Sequence, residues 1–447
     1  MKKYIAIIAL FLIFVSSGLL LIMQNSKHSN DNNSGISEIE YVVKGSPQPS
    51  QTDISIPNIS GAESTDQLTP EVMVTDAEKE IILSECIELS ELYQEIYQTA
   101  EKTPSQYWGA DDEIAQETID EIENILALAG YPVINSDSFY PDYLENSDGV
   151  YSFWESVNQE IDAEAEIWSV LASGGLSYRR LQFLDKTPYC IHATATWNEN
   201  GKIELSYIEK REVLHWDMTY NQDLYYQDIY TDRHWTASVL LRLHPVDKVL
   251  YDLNMKYIMP IGYHNVNLFL LDWDSSNYGH LCFNDMLDSF YRMENNDYFY
   301  ARDYPYYATP YSHSAIPAQL FEETILPYFD ISLDQFREMS LYDAYTDTYP
   351  WQDLCCDNIL YYPALIPEVT DVIEVDENTI KLIVNVMCLD NKTDKLFVHE
   401  VMIRLLDDGK YQYIGNQITY KGDIAIPSAQ ARIPEQRFDE GQTDRTN

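Results

Sequence analysis

The sequence predicts an α+β protein carried on an N-terminal transmembrane helix, and three observations predict it. Apolar residues repeat at helical spacing between residues 71 and 175, and the period changes to two from Leu176. Residues 379–420 then read as a three-stranded antiparallel meander behind a pair of short helices. With 447 residues and 45% hydrophobic content the chain has the size and composition of a globular protein with two or three domains. Its 73 acidic residues against 28 basic ones give a formal net charge of −45, which repels phosphate backbones and anionic head groups. Nucleic acid is therefore excluded as a partner. Between residues 71 and 170 only Lys79 and Lys102 are basic, and this excess reads as a solvated acidic face.

Met1-Lys2-Lys3 precedes an almost unbroken apolar run over residues 4–23, and at about 1.5 Å per helical residue about 20 residues span the hydrocarbon core. Ser16-Ser17-Gly18 is a candidate cleavage point, but Leu19 to Met23 continue the run beyond it, so an uncleaved signal-anchor is expected. Lys2 and Lys3 keep its start inside and send the bulk of the chain out. Residues 24–70 are rich in Ser, Asn, Asp, Gln, Thr and Pro without periodicity, a disordered linker reaching on the order of 35–40 Å.

Residues 71–175 form an acidic helical region. Thr75-Asp-Ala-Glu78 is a capping box in front of Ile82, Cys86, Leu89, Tyr93 and Ile96 at helical spacing, and Thr103-Pro104 stops the run. A second helix is predicted over 112–129, with Gly130 and Pro132 as exit signals. A third is predicted over 150–172, carrying Trp154, Val157, Ile161, Trp168 and Leu171 and stopping at Ser173-Gly174-Gly175.

An antiparallel β-rich domain over 176–310 follows. Strands are expected at 176–184, 189–197, 202–216, 224–230 and 235–243, with Asn200-Gly201 as a tight hairpin turn. Beyond His244-Pro245 come segments 250–257 and 267–273, a helix around 285–291 and a tyrosine-rich loop over 297–311. The C-terminal α+β module, 311–425, opens with helices over 318–326 and 332–339 and ends in the meander. There Ile380, Leu382, Val384, Val386 and Cys388 share one face, and so do Phe397, Val401, Ile403 and Leu405. Asp408-Gly409 supplies the turn. Residues 426–447 are expected to be a flexible tail.

Chemistry is sparse. The chain contains no His-Glu-x-x-His, Gly-x-Ser-x-Gly or Cys-x-x-Cys pattern, and no phosphate-cradling glycine loop, so no cofactor, metal or catalytic residue is expected. Asn146-Ser-Asp148-Gly149 fits later positions of a calcium loop, but Leu144 stands where the first ligand belongs, so it reads as a turn. His399 falls among the apolar positions of its strand and reads as a hydrogen-bonded core histidine. Asp272, Trp273 and Asp274 are the candidate ligand-binding residues: two carboxylates for acid and base work, or a tryptophan for stacking on sugar. A buried structural tryptophan is the plainer reading of Trp273. The 36 tyrosines suit the half-buried faces of sheets more than ligand platforms. Cys86 and Cys388 lie on apolar faces, whereas Cys190, Cys282, Cys355 and Cys356 leave any disulfide pairing open.

Lys256-Tyr-Ile-Met-Pro-Ile-Gly-Tyr263, Asn267-Leu-Phe-Leu-Leu-Asp-Trp273, Phe283-Asn-Asp285, Ile316-Pro317 with Glu322, Tyr349-Pro-Trp351 and Gly415-Asn416 resemble a family of exported, membrane-anchored proteins of unknown function from Gram-positive anaerobes. The resemblance covers roughly residues 176–420 and implies a shared topology without a known activity. Helices followed by a curved meander also look like the cystatin-like or NTF2-like cone, a fold that hosts enzymes and binders alike. The expectation is a cell-membrane protein, single-pass, with its bulk extracytoplasmic and in a non-enzymatic binding, sensing or scaffold role. The alternatives are a protein that binds cell-wall or polysaccharide glycan, or a glycoside hydrolase using Asp272 or Asp274. Its partners would be the membrane and a glycan or a surface protein.

Overall fold

Thr75 opens the first helix as expected: its hydroxyl accepts from the Glu78 amide, and its own amide donates to Glu78 Oε2 at 2.7 Å. Helix α1 spans Asp76–Thr99 and α2 spans Gln116–Leu128. The computed structural model describes residues 73–105, 111–136, 140–219, 221–230, 235–264, 266–308, 311–353, 365–388, 391, 393–427 and 431–434. The expected anchor, the linker, Cys355, Cys356 and most of the tail lie outside the described residues. No described helix is long and apolar enough to cross a membrane.

Behind α1 and α2 stands a six-stranded antiparallel sheet in which each strand pairs with the next: β1 Ala163–Val170, β2 Leu176–Leu184, β3 Thr187–Trp197, β4 Ile203–Met218, β5 Leu224–Tyr230 and β6 Trp235–Leu241. Period-two alternation gives the sheet two apolar faces. Tyr178, Ile191 and Ala193 pack with Ile82, Leu89 and Tyr93 of α1. Leu181, Cys190 and Tyr226 face the other way, against Val150 and Phe153 of helix α3, Asp148–Asn158.

The predicted helix over 150–172 is therefore two elements. α3 stops at Asn158, Glu160 turns the chain with φ 56°, and Trp168 lies on β1. Glu164 and Glu166 alternate with the buried Ala165 and Ile167, a period-two signal inside a stretch read as helical. Gly174-Gly175, read as a helix stop, forms the hairpin turn from β1 to β2. The tight turn at Asn200-Gly201 is present, with Gly201 at φ 67°.

After β6 comes α4, Lys248–Tyr257, capped by Asp247 Oδ1 on the amides of Val249 and Leu250. Residues 267–273 contribute only a short strand, β7 Trp273–Asp274. Helix α5, Leu287–Asn295, precedes a small sheet of β8 Tyr306–Tyr307, β9 His313–Pro317 and β10 Thr348–Trp351, with α6 Ala318–Ile325 and α7 Leu333–Met339 between its last two strands. The meander is present as β12 Thr379–Cys388, β13 Thr393–Leu405 and β14 Tyr411–Lys421. It gains an unanticipated strand, β11 Leu365–Glu374, and the full order is β7-β14-β13-β12-β11. Pro367 hid that strand, and a proline fits here because β11 is an edge with no ladder to donate to on its outer side.

The second sheet and its helices close on one aromatic core that includes Phe283, Phe290, Phe321, Phe336 and Tyr413. Arg242 ties the two sheets together, pairing with Asp223 at 3.3 Å and with Glu368 of β11 at 2.5 Å. Ala431, Arg432 and Ile433 are buried, so this part of the expected flexible tail is docked.

Candidate functional site

The three residues singled out in the sequence line one open hollow of about 540 Å³ at the β7–β14 edge, together with Asn277, Lys381 and Glu400. Strand β7 places them there by pairing Trp273 with Asn416 and Asp274 with Gly415. The approach is close, since a side chain at Gly415 would sit 3.2 Å from the Trp273 carbonyl oxygen.

Their chemistry differs. Asp274 Oδ1 accepts from the Ser276 amide, the Ser276 hydroxyl and the Asn277 amide at 2.8, 2.6 and 3.0 Å. These bonds, the serine hydroxyl first, hold its carboxyl below the usual range, so it stays ionised. Asp272 Oδ1 accepts the Ile418 amide at 2.7 Å. Trp273 is only 6% exposed, donates Nε1–H to the Leu268 carbonyl at 2.8 Å and stacks on Tyr278. It is a core residue with no ring face open to a sugar. Across the hollow, Lys381 and Glu400 form an ion pair at 2.7 Å.

His399 is fully buried, as expected, with both ring nitrogens engaged: Nε2 with the Tyr263 hydroxyl at 2.7 Å and Nδ1 with Asn416 Oδ1 at 2.6 Å. Asn416 Nδ2 donates to the Leu271 carbonyl, which fixes the amide orientation, so Nδ1 carries the imidazole proton and Nε2 accepts from Tyr263. Burial lowers the His399 pKa to about 4. It is neutral and structural.

Asn146 sits in a turn at φ 56°, its side-chain amide bonded to the Ala127 and Tyr131 carbonyls. Cys86, Cys190, Cys282 and Cys388 are all buried.

Sequence reasoning missed a polar cluster on the α3 face of the first sheet. Cys190 and His192 project from β3 and Asp228 from β5, with one ligand atom of each within 4.8 Å of the others. His192 Nε2 lies 2.7 Å from Asp228 Oδ2, which also takes Arg211 Nη1 at 3.3 Å. Asp228 is fully buried, yet its Oδ1 has no hydrogen-bond partner. In the sequence the cluster shows only as Cys190-Ile-His192; the carboxylate comes from a strand two places along the sheet.

Residues 79–432 match the sequence profile of the family of unknown function DUF6070. The chain belongs to this family. The DUF6070 match begins in α1, well before residue 176, and takes in both sheets and the buried Arg432. No curated protein and no solved structure matches the chain. Residues that carried the resemblance serve as internal ties in this DUF6070 fold. Asn284 donates to the Ser340 and Pro350 carbonyls, Asp285 accepts the Arg432 amide, and Glu322 accepts from Arg337 and Tyr349.

Proposed function

We propose that this DUF6070 protein is a non-enzymatic binding, sensing or scaffold protein held at the cell surface. The observation that carries this reading is what the carboxylates of the hollow do: Asp274 pins a turn and Asp272 pins the β14 edge. A glycoside hydrolase needs one carboxyl kept protonated near neutrality by an apolar setting. The hydrogen bonds on Asp274 act in the opposite sense. What the hollow offers instead is an open surface of hydrogen-bonding groups, with Asn277 and Gln417 beside the Lys381–Glu400 pair.

Placement at the surface rests on the apolar run after Lys2-Lys3, the polar linker behind it, and the resemblance to exported, membrane-anchored proteins. A second reading, glycan binding without cleavage, draws on the 297–311 loop, where Tyr298, Tyr300, Tyr306 and Tyr307 are exposed rings. The cone-like fold analogy favours neither.

The test is a screen of the full-length protein in detergent micelles against purified cell-wall fragments and polysaccharides, following both binding and release of reducing sugar. Binding without release, weakened in Tyr306→Ala, is the outcome expected of a glycan binder. Release of sugar that disappears in Asp272→Asn or Asp274→Asn would overturn the non-enzymatic reading. Protease added to intact cells should degrade the C-terminal part, and protection there would refute the surface location.

A further inference from the structure

We propose that Cys190, His192 and Asp228 bind one zinc ion on the α3 face of the six-stranded sheet. Period two along β3 puts Cys190 and His192 on the same face, and the antiparallel register carries Asp228 alongside them: Cys190 opposes Arg211 on β4, and Val213 on β4 opposes Asp228 on β5. A thiolate, an imidazole and a carboxylate are the donors zinc takes at about 2.3, 2.0 and 2.1 Å, leaving one position of a tetrahedron for water. The sulfur selects zinc over magnesium or calcium, which take oxygen.

An independent observation points to a ligand. A buried carboxylate oxygen without a partner is costly, and Asp228 Oδ1 is one. The Tyr226 hydroxyl, two residues away on the same face of β5, is buried against the Cys190 thiol, its hydrogen-bond partner. A cation would use Oδ1 and leave Oδ2 to Arg211, so that the ligating carboxylate is held from behind. Arg211 is itself fixed by Glu209 and Tyr207.

The groups facing the site are charged in both senses. Arg179 lies across from His192 on β2, and Glu209 lies across from it on β4. With the thiolate formed, Cys190, Glu209 and Asp228 outweigh the guanidiniums of Arg179 and Arg211, and a divalent cation enters a site of net negative charge. The His192 side chain is 16% exposed and provides the way in. Loading exchanges the His192–Asp228 hydrogen bond for two coordination bonds, the imidazole proton moving from Nε2 to Nδ1, and forms the sulfur–metal bond as the Cys190 thiol proton passes to solvent.

The experiment is titration of the chelator-stripped, full-length protein with Co²⁺, followed by displacement with Zn²⁺. Expected are saturation at one ion per chain, a near-ultraviolet thiolate-to-cobalt band, tetrahedral visible bands, and loss of all three on adding zinc. Cys190→Ser should abolish the thiolate band, and His192→Gln should weaken binding by at least about tenfold. Circular dichroism identifies a variant that has failed to fold, in which case the partly exposed His192 position decides. A wild-type spectrum without the thiolate band, or one unchanged in His192→Gln, overturns the proposal.

Discussion

His399 shows how one buried polar side chain constrains the second sheet. Its neutral form accepts from Tyr263 and donates to Asn416, so protonation would set a proton against the Tyr263 bond and charge a fully buried site. The folded pKa of about 4 lies below the ordinary histidine value of about 6.5. Between those values the unfolded chain binds more protons, so stability is fully present above about pH 6.5 and falls as pH drops towards 4, by on the order of 3 kcal/mol. Urea melts across this window should show the decline in the wild type. His399→Gln should be less stable at neutral pH and show a shallower decline, and an identical slope in the variant would remove His399 as its source.

At the scale of elements, the turn from β1 to β2 shows how one motif serves two geometries. Gly174 has φ 74°, where side chains are strained, and a Cβ there would also meet the Tyr97 ring at 2.6 Å. Gly175 is needed for closeness instead, because a Cβ on it would lie 2.5 Å from the Ala195 carbonyl oxygen on β3. Gly175→Ala therefore forces β3 away from the turn, at a cost of about 1–3 kcal/mol. Thermal melts should show a lowered Tm for Gly175→Ala, while Gly149→Ala, which meets nothing within 4 Å, should stay near the wild type.

At the scale of the whole molecule, the chain closes on itself through Arg432. Its guanidinium donates to the Asp285 carbonyl at 3.1 Å and to Asp288 at 3.3 Å, and its amide reaches the Asp285 carboxylate. Removing one partner of a buried ion pair strands the other. Arg432→Ala should cost about 3 kcal/mol and, by undocking the C-terminal segment, speed its proteolysis. Unchanged melting and unchanged cleavage would show that the clasp is not needed. The Arg242 link between the sheets is a second long-range tie, set by groups from β11 and the first sheet.

Local periodicity by itself determined the α+β class, the capping box at Thr75, most strands of both sheets and the burial of His399, because alternation, caps and turn residues act over a few neighbours. It failed where local signals conflict. Residues 163–170 followed a helical stretch without a proline or glycine to mark the change, and Pro367 disguised an edge strand. The burial of Trp273 agrees with the plainer sequence reading, but only the fold decided that Asp272 and Asp274 brace backbone. Cys190, His192 and Asp228 were decided by tertiary structure alone, because the register of three strands, and no spacing along the chain, brings them together.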